Sequence, residues 1–113
     1  MEFTSLIDQA VAIRKKYAVL EKANYGREWS GEELMLGFIG DIGDLAKLIQ
    51  AKEGVRSYDD LDSKLAHELS DCLWSIIIIA NSYGIDLEAA FIKTMAELDN
   101  RLERGDGSSN ITK

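Results

Sequence analysis

Residues 65–80, LAHELSDCLWSIIIIA, decide between a helical and a strand-based fold. The four consecutive isoleucines at 76–79 have strong strand propensity. However, they lie inside a longer apolar pattern, from about residue 59 to residue 83, that turn-forming residues do not interrupt. A pattern of that length favours a helix over a strand. The apolar centre of the predicted helix is formed by Leu65, Leu69, Cys72, Ile76 and Ile79.

Three further segments show the same three- and four-residue periodicity, which predicts helices over about residues 4–23, 30–53 and 86–104. The chain has no proline and nine glycines, a composition that favours uninterrupted helices. Ser30 followed by Glu33 is typical of a capping box at a helix start. The sequence therefore predicts an all-α four-helix bundle, with one domain over residues 1–104 and a flexible tail over 105–113.

Charge and composition exclude several classes of function. The chain of 113 residues has 13 Lys and Arg against 20 Asp and Glu, a net charge of -7, so binding to a nucleic-acid polymer through its backbone is disfavoured. The lone cysteine cannot form an internal disulfide. We find no basic segment followed by an apolar run at the start, and no apolar stretch long enough to span a membrane. We therefore expect a cytoplasmic protein without a membrane partner.

Two acid pairs occupy equivalent places on the second and third predicted helices. Asp41 and Asp44 are three residues apart, at the margin of an apolar face, and Glu68 and Asp71 repeat that spacing. If the two helices pack antiparallel, the four carboxylates converge and repel one another. A hard divalent cation such as Mg²⁺ relieves that repulsion, because it prefers carboxylate oxygens. Exposed helix faces also carry such pairs without a ligand, and the residues alone leave both interpretations open. The apolar face of the second helix is formed by Leu34, Phe38, Ile42, Leu45 and Ile49.

The residues around these pairs resemble a known family. Residues 37–49, GFIGDIGDLAKLI, and residues 67–74, HELSDCLW, look like the MazG-like, all-α nucleotide pyrophosphohydrolases, which carry an E-x-x-E pair followed by an E-x-x-D pair. Residues 80–90, ANSYGIDLEAA, resemble the family's turn into its last helix. The resemblance covers roughly residues 30–102.

The resemblance implies an enzyme that cleaves an NTP or dNTP between the α- and β-phosphates, giving a nucleoside monophosphate and pyrophosphate. It implies Mg²⁺, with Mn²⁺ as the alternative, held by Asp41, Asp44, Glu68 and Asp71. Glu68 and Asp71 would also be the catalytic residues. The fold would be dimeric or tetrameric, a homodimer or homotetramer.

One departure from the family pattern concerns the first pair, which is Asp-x-x-Asp and therefore one methylene shorter at each position. Closer helices would compensate, and Gly37, Gly40 and Gly43 are expected to allow that approach. The competing hypothesis is a non-catalytic helical oligomerisation module with a drifted metal site. Hydrolysis of a phosphoribosyl-nucleotide, which related folds perform, is less favoured because no basic set for a second phosphate is evident.

Two residues are candidates for substrate binding. Lys93 could neutralise a phosphate, and Trp29 could stack on a nucleobase. The alternatives are a solvated lysine and a packing residue that anchors the loop before the second helix.

Other residues receive structural interpretations. Trp74 and Ile78 lie off the main apolar face of the third helix, so we expect a second subunit to cover them. Lys47 and His67 are expected at the surface, and Cys72 in the core.

Overall fold

The computed structural model describes residues 2–54 and 59–105, and within these residues the chain forms four helices and no strand. The helices are α1 (Phe3–Tyr25), α2 (Gly31–Lys52), α3 (Leu61–Ser82) and α4 (Leu87–Glu103). The prediction of an all-α chain with four helical segments is confirmed, and the observed ends differ from the predicted ends by only a few residues. Apart from Gly105, the predicted tail lies outside the described residues.

The connections between helices follow from capping residues. Gly26 ends α1 with a positive φ of 80°, a conformation that glycine adopts without steric cost, and its N–H donates to the Lys22 carbonyl at 2.9 Å. The predicted capping box at the start of α2 is present. The Glu33 N–H donates to Ser30 Oγ at 3.3 Å, and the Ser30 N–H donates to Glu33 Oε1 at 2.9 Å. Asp86 caps α4 by accepting from the Ala89 N–H at 3.0 Å.

The helix α3 lies at the centre of the packing. α2 is its main neighbour, α1 packs on a second side, and α4 touches it more lightly. Four of the buried apolar residues belong to α3, and they are joined by Ala10 of α1 and by Leu48 and Ala51 of α2. The core is thus built around α3, which is why its acids can be held against those of α2. The buried apolar residues of α3 are Cys72, Ile77, Ile78 and Ala80.

The buried face of α2 is rotated relative to the predicted face. Ile42 and Ile49, both predicted at the apolar centre, are 44% and 46% exposed. Leu48 is buried instead, and Asp41 is half-buried. At about 100° per residue, Asp41 and Leu48 lie about 100° around the helix from the two isoleucines, within the buried arc of α2. The rotation moves an acid from the margin of the face towards its contact with α3.

The second side of α3 is covered by α1, so the prediction that another subunit covers Trp74 and Ile78 is wrong. Trp74 Nε1 donates to the Ala10 carbonyl at 3.3 Å, and its ring lies 5.9 Å from the Tyr17 ring, centroid to centroid. Ile78 is only 3% exposed. The helical wheel correctly showed a second buried side, but the covering helix comes from the same chain.

A different apolar surface stays open. Leu73 and Ile76 of α3 are exposed, together with Phe91 and Ile92 of α4, and these four residues line one groove. Leu69, predicted at the centre of α3, is 52% exposed. In the described parts of the chain, no single helix has the length and apolar character needed to cross a membrane. α3 and α4 meet those criteria only as a pair bent by 108°.

Candidate metal centre

The pairing of α2 with α3 brings three carboxylates together. Single oxygens of Asp41, Asp44 and Glu68 all lie within 4.8 Å of one another. Asp41 and Glu68 are half-buried, whereas Asp44 is exposed. The predicted convergence of the two acid pairs is therefore present for three of the four residues.

Glu68 has surroundings that disfavour its charged form. Its Oε1 atom is buried and has no hydrogen-bond partner among the described residues. Burial raises the pKa of this carboxyl, and the negative charges of Asp71, Asp41 and Asp44 raise it further. A buried carboxylate oxygen without a partner is costly, and a bound cation would supply the partner that no described residue provides.

Asp71 lies one turn further along α3 and is not a member of the three-residue group. One of its oxygens, Oδ2, lies 3.2 Å from His67 Nε2, and its side chain is 40% exposed. His67 is itself exposed, as predicted. Asp71 remains a predicted ligand. Its negative charge acts on the group by contributing to the raised pKa of Glu68.

Ser75 orients one of the acids from the next turn of α3. Its side chain is buried, at 5% exposure, and its hydroxyl donates to Asp41 Oδ2 at 3.4 Å. The sequence interpretation gave this residue no role. The signal that could have found it is a hydroxyl that interrupts the apolar run of α3 one turn beyond Asp71.

The three glycines of α2 do not bring the helices closer, so that expectation is wrong. A Cβ atom at Gly37, Gly40 or Gly43 would meet nothing within 4 Å. On the wheel, Gly40 and Gly43 point away from the side that faces α3. Asp41 is nevertheless half-buried and accepts a hydrogen bond from Ser75 of α3.

The donor set fits a divalent cation. Asp41, Asp44 and Glu68 offer only carboxylate oxygens, which Mg²⁺ and Mn²⁺ prefer. A cation would satisfy the buried oxygen of Glu68 and offset the repulsion that raises its pKa. The Ser75 hydroxyl donates to Asp41 and would hold that ligand in one orientation. The acid group can therefore hold a metal ion and, through it, phosphate oxygens.

Two cavities of different chemistry border the acids. The first, of about 500 Å³, is lined by Asp44 and Glu68, and its remaining polar lining comes from Lys47, Ser63, Lys64 and His67. The second, of about 280 Å³, is reached from Asp41 and has an aromatic lining: Tyr17, Trp29 and Trp74. The acid group thus borders one cavity whose lining includes two lysines beside its two acids, and one whose lining includes three aromatic rings.

The two predicted substrate-binding residues have different surroundings. Trp29 is half-buried, lines the aromatic cavity, and packs its ring 5.2 Å from that of Tyr25. Lys93 is exposed on α4 and lines neither of the two cavities that border the acids. Lys47, expected to be a surface lysine, is exposed and also lines the cavity beside Asp44.

Comparison with known proteins agrees with this arrangement. Residues 30–105 match the family model of the MazG nucleotide pyrophosphohydrolase domain. The Gene 37 protein of Mycobacterium phage L5 is 28% identical over 74 residues, a match that covers 62% of this chain and 64% of that protein. The match therefore spans less than two thirds of the relative's length. No solved structure shows a significant match. Because the family model covers more than half of the chain and includes both acid pairs, this chain belongs to the MazG nucleotide pyrophosphohydrolase domain family.

Proposed function

We propose that this protein is a divalent-metal-dependent nucleotide pyrophosphohydrolase that cleaves an NTP or dNTP between the α- and β-phosphates. The products are a nucleoside monophosphate and pyrophosphate. The observation that carries the proposal is the acid group of Asp41, Asp44 and Glu68, whose buried Glu68 oxygen has no partner among the described residues. Membership of the family supplies the reaction class that such a group would serve.

The proposed roles of the acids follow from their surroundings. Asp41, Asp44, Glu68 and Asp71 would hold Mg²⁺ or Mn²⁺, which supplies Lewis-acid polarisation of the phosphate oxygens and favours a water nucleophile. Glu68 and Asp71 would orient the attacking water and accept its proton. Ser75 would keep Asp41 in a fixed orientation.

The two cavities suggest a direction for the substrate along the groove between α2 and α3. We place the nucleoside at the aromatic cavity, where the Trp29 ring can stack on a base. The departing pyrophosphate would occupy the cavity lined by Lys47, Lys64 and His67. Lys93 lines neither cavity, so its proposed phosphate contact would come from a second copy of the chain.

Assembly into a homodimer or homotetramer is part of the same proposal. Among the described residues of this single chain, twenty large hydrophobic side chains are exposed and no large side chain is fully buried. An exposed apolar surface of this extent marks an interaction site. The groove with Leu73, Ile76, Phe91 and Ile92 is the part we assign to a subunit contact. The cytoplasm, where nucleoside triphosphates are abundant, is the proposed compartment.

A second candidate function is a non-catalytic oligomerisation module, and one observation favours it. Asp71, the fourth predicted ligand, lies outside the three-residue group and contacts His67 instead. A site with three acids, two of them shortened to aspartate, would bind a cation less tightly than a site with four. In that case the fold and the apolar surface would persist while hydrolysis would not.

The deciding experiment is a pyrophosphate-release assay over the common ribo- and deoxyribonucleoside triphosphates, with Mg²⁺ and separately with Mn²⁺. We expect release with at least one nucleotide, dependent on the cation. Glu68→Gln should abolish release, because it removes the charge of the central ligand while keeping the shape of the side chain.

The matched control is Asp8→Asn, which removes one negative charge from an exposed position of α1 outside the acid group. This variant should retain the wild-type rate. Absence of pyrophosphate with every nucleotide and both metals would refute the enzyme and leave the oligomerisation module. Full activity of a folded Glu68→Gln protein would refute the assignment of the metal ligands.

A further inference from the structure

The helix α1 carries a buried ion pair that the proposed chemistry does not use. Both terminal guanidinium nitrogens of Arg14 donate to Glu21, Nη1 to Oε2 at 2.7 Å and Nη2 to Oε1 at 2.8 Å. The side chains are only 12% and 9% exposed. The pKa of Glu21 is lowered, chiefly by the hydrogen bonds from Arg14. An apolar pair of similar volume can stabilise a fold as well as a buried ion pair does, so stability alone does not explain these residues.

The ion pair makes a third contact that connects it to the loop between α1 and α2. The backbone N–H of Trp29 donates to Glu21 Oε1 at 2.8 Å. Trp29 directly precedes the Ser30 cap of α2, so this bond fixes the backbone immediately before that helix. Glu21 therefore joins α1 to this loop through a side-chain acceptor.

The ring of Trp29 is held from two further directions. It packs against the Tyr25 ring at 5.2 Å with an interplanar angle of 30°, and the Arg27 guanidinium lies 5.8 Å from its centroid. Arg27 is itself held by Glu33 at 2.6 Å. Trp29, which lines the aromatic cavity, is thus held at its backbone by Glu21 and at its ring by these neighbours.

The same cavity connects this tryptophan to the acid group. Its lining includes Arg14, Glu21 and Trp29 together with Asp41 and Ser75. A nucleotide whose phosphates lie at the acids would therefore reach the Trp29 ring with its base.

We infer that Glu21, held by Arg14, is a positioning residue that fixes Trp29 as the wall on which the base of the nucleotide stacks. The inference rests on the proposed function, because it takes the aromatic cavity as the nucleoside end of the site. Glu21 acts only through the Trp29 backbone and does not contact the substrate. Loss of the hydrogen bond from the Trp29 N–H to Glu21 should weaken nucleotide binding and leave the cation site unchanged.

The test compares two double variants that differ only in their acceptor for the Trp29 N–H. Arg14→Met with Glu21→Met removes the pair and the acceptor, while Arg14→Met with Glu21→Gln removes the charges and keeps a carbonyl acceptor. Both are made in a Trp74→Phe background, which leaves Trp29 as the only tryptophan of the chain. The Met variant avoids an unpaired buried charge, so it should fold. Circular dichroism would verify the fold of both proteins.

The readout is the dissociation constant of nucleoside monophosphates without metal, titrated through Trp29 fluorescence over the common ribo- and deoxyribonucleotides. We expect the Met variant to bind about ten-fold more weakly than the Gln variant, the order of one lost base–aromatic stack. Where pyrophosphate is released, KM should rise by a similar factor while kcat changes less. Adding Trp29→Ala, followed by calorimetry, should erase the difference between the two variants.

Three outcomes would overturn the inference: equal binding by the Met and Gln variants, a difference that persists in the Trp29→Ala proteins, or no monophosphate binding by the Trp74→Phe protein. The pyrophosphate-release assay decides the proposed function separately. An active wild-type enzyme with equal Met and Gln variants would remove the role of Glu21 and keep the hydrolase. An inactive wild type with unequal variants would remove the hydrolase and keep a nucleotide-binding wall.

Discussion

Replacing Glu68 by glutamine should stabilise the protein when no divalent cation is present. The oxygens of Asp41, Asp44 and Glu68 lie within 4.8 Å of one another, and two unit charges at that distance repel by about 1 kcal/mol in water and about 3.5 kcal/mol at an effective dielectric constant of 20. Asp44 is exposed, so its repulsion is nearer the lower value; Asp41 and Glu68 are half-buried. Removing the Glu68 charge should therefore raise the free energy of unfolding by about 1–3 kcal/mol.

The assay is thermal unfolding in EDTA and then at increasing Mg²⁺ or Mn²⁺. In EDTA, Glu68→Gln should raise Tm by at least about 4 °C over the wild type, since 1 kcal/mol corresponds to roughly 4–8 °C in a domain of this size. A cation at about 100 times its Kd should add about 2.7 kcal/mol to the wild type and little to the variant. The control Asp8→Asn should change the free energy of unfolding by less than about 0.5 kcal/mol.

The pH dependence of stability gives an independent check that the Glu68 charge destabilises the metal-free protein. The pKa of Glu68 is raised in the folded protein, so the folded state binds this proton more readily than the unfolded state. Metal-free wild-type stability should therefore fall as pH rises from the ordinary glutamate pKa through the raised value. Glu68→Gln should lack that part of the slope. A variant less stable than the wild type in EDTA, or stabilised equally by cations, would refute this account of the acid group.

Three further predictions concern other parts of the molecule. Ser75→Ala should weaken Mn²⁺ binding about ten-fold by calorimetry, because it removes a ligand-orienting hydroxyl; Ser70→Ala, on the same helix, should not change it. Phe91→Asp should convert an oligomer to monomers in light scattering, because it places a charge in the apolar groove; an unchanged mass would exclude that groove as the contact. Arg27 lowers the pKa of Glu33 to about 2. The stabilisation that this ion pair gives the fold is therefore complete above the ordinary glutamate pKa of 4.5 and is lost as pH falls through about 2. Carboxyl NMR titration should show this midpoint, and Arg27→Gln should move it upward.

The helices and the acid pairs were predictable because their signals are local. Periodicity, the capping box at Ser30 and the absence of proline fix four helices without knowledge of their partners. The spacing of Asp41 with Asp44, and of Glu68 with Asp71, places each pair on one side of its helix. The resemblance to the family then suggested that both pairs hold a divalent cation. Only the first three of these acids form the close group.

The features that sequence reasoning missed depend on contacts between helices. The rotation of α2 depends on the fit against α3, and a hydrophobic face that includes Ile42 and Ile49 does not reveal it. The cover of Trp74 by α1 was assigned to another subunit because the wheel shows that a side is buried but not what buries it. Arg14 and Glu21 were overlooked because charged residues are expected to face solvent. Their seven-residue spacing, in register with buried Ala10, was the available signal.

The open glycines of α2 have a consequence for how the helix behaves over time. A helix-interior glycine is less favourable than alanine by roughly 0.5–1 kcal/mol, and among the described residues no neighbour lies close enough to Gly37, Gly40 or Gly43 to require a residue without a Cβ atom. α2 should therefore unwind transiently more often than α3, and its amide hydrogens should exchange faster. Asp41 and Asp44 lie on this helix, while Glu68 lies on its more persistent neighbour. A cation that joins the two helices would slow the exchange of α2 above all, so that binding of the ion and completion of the helix become a single event.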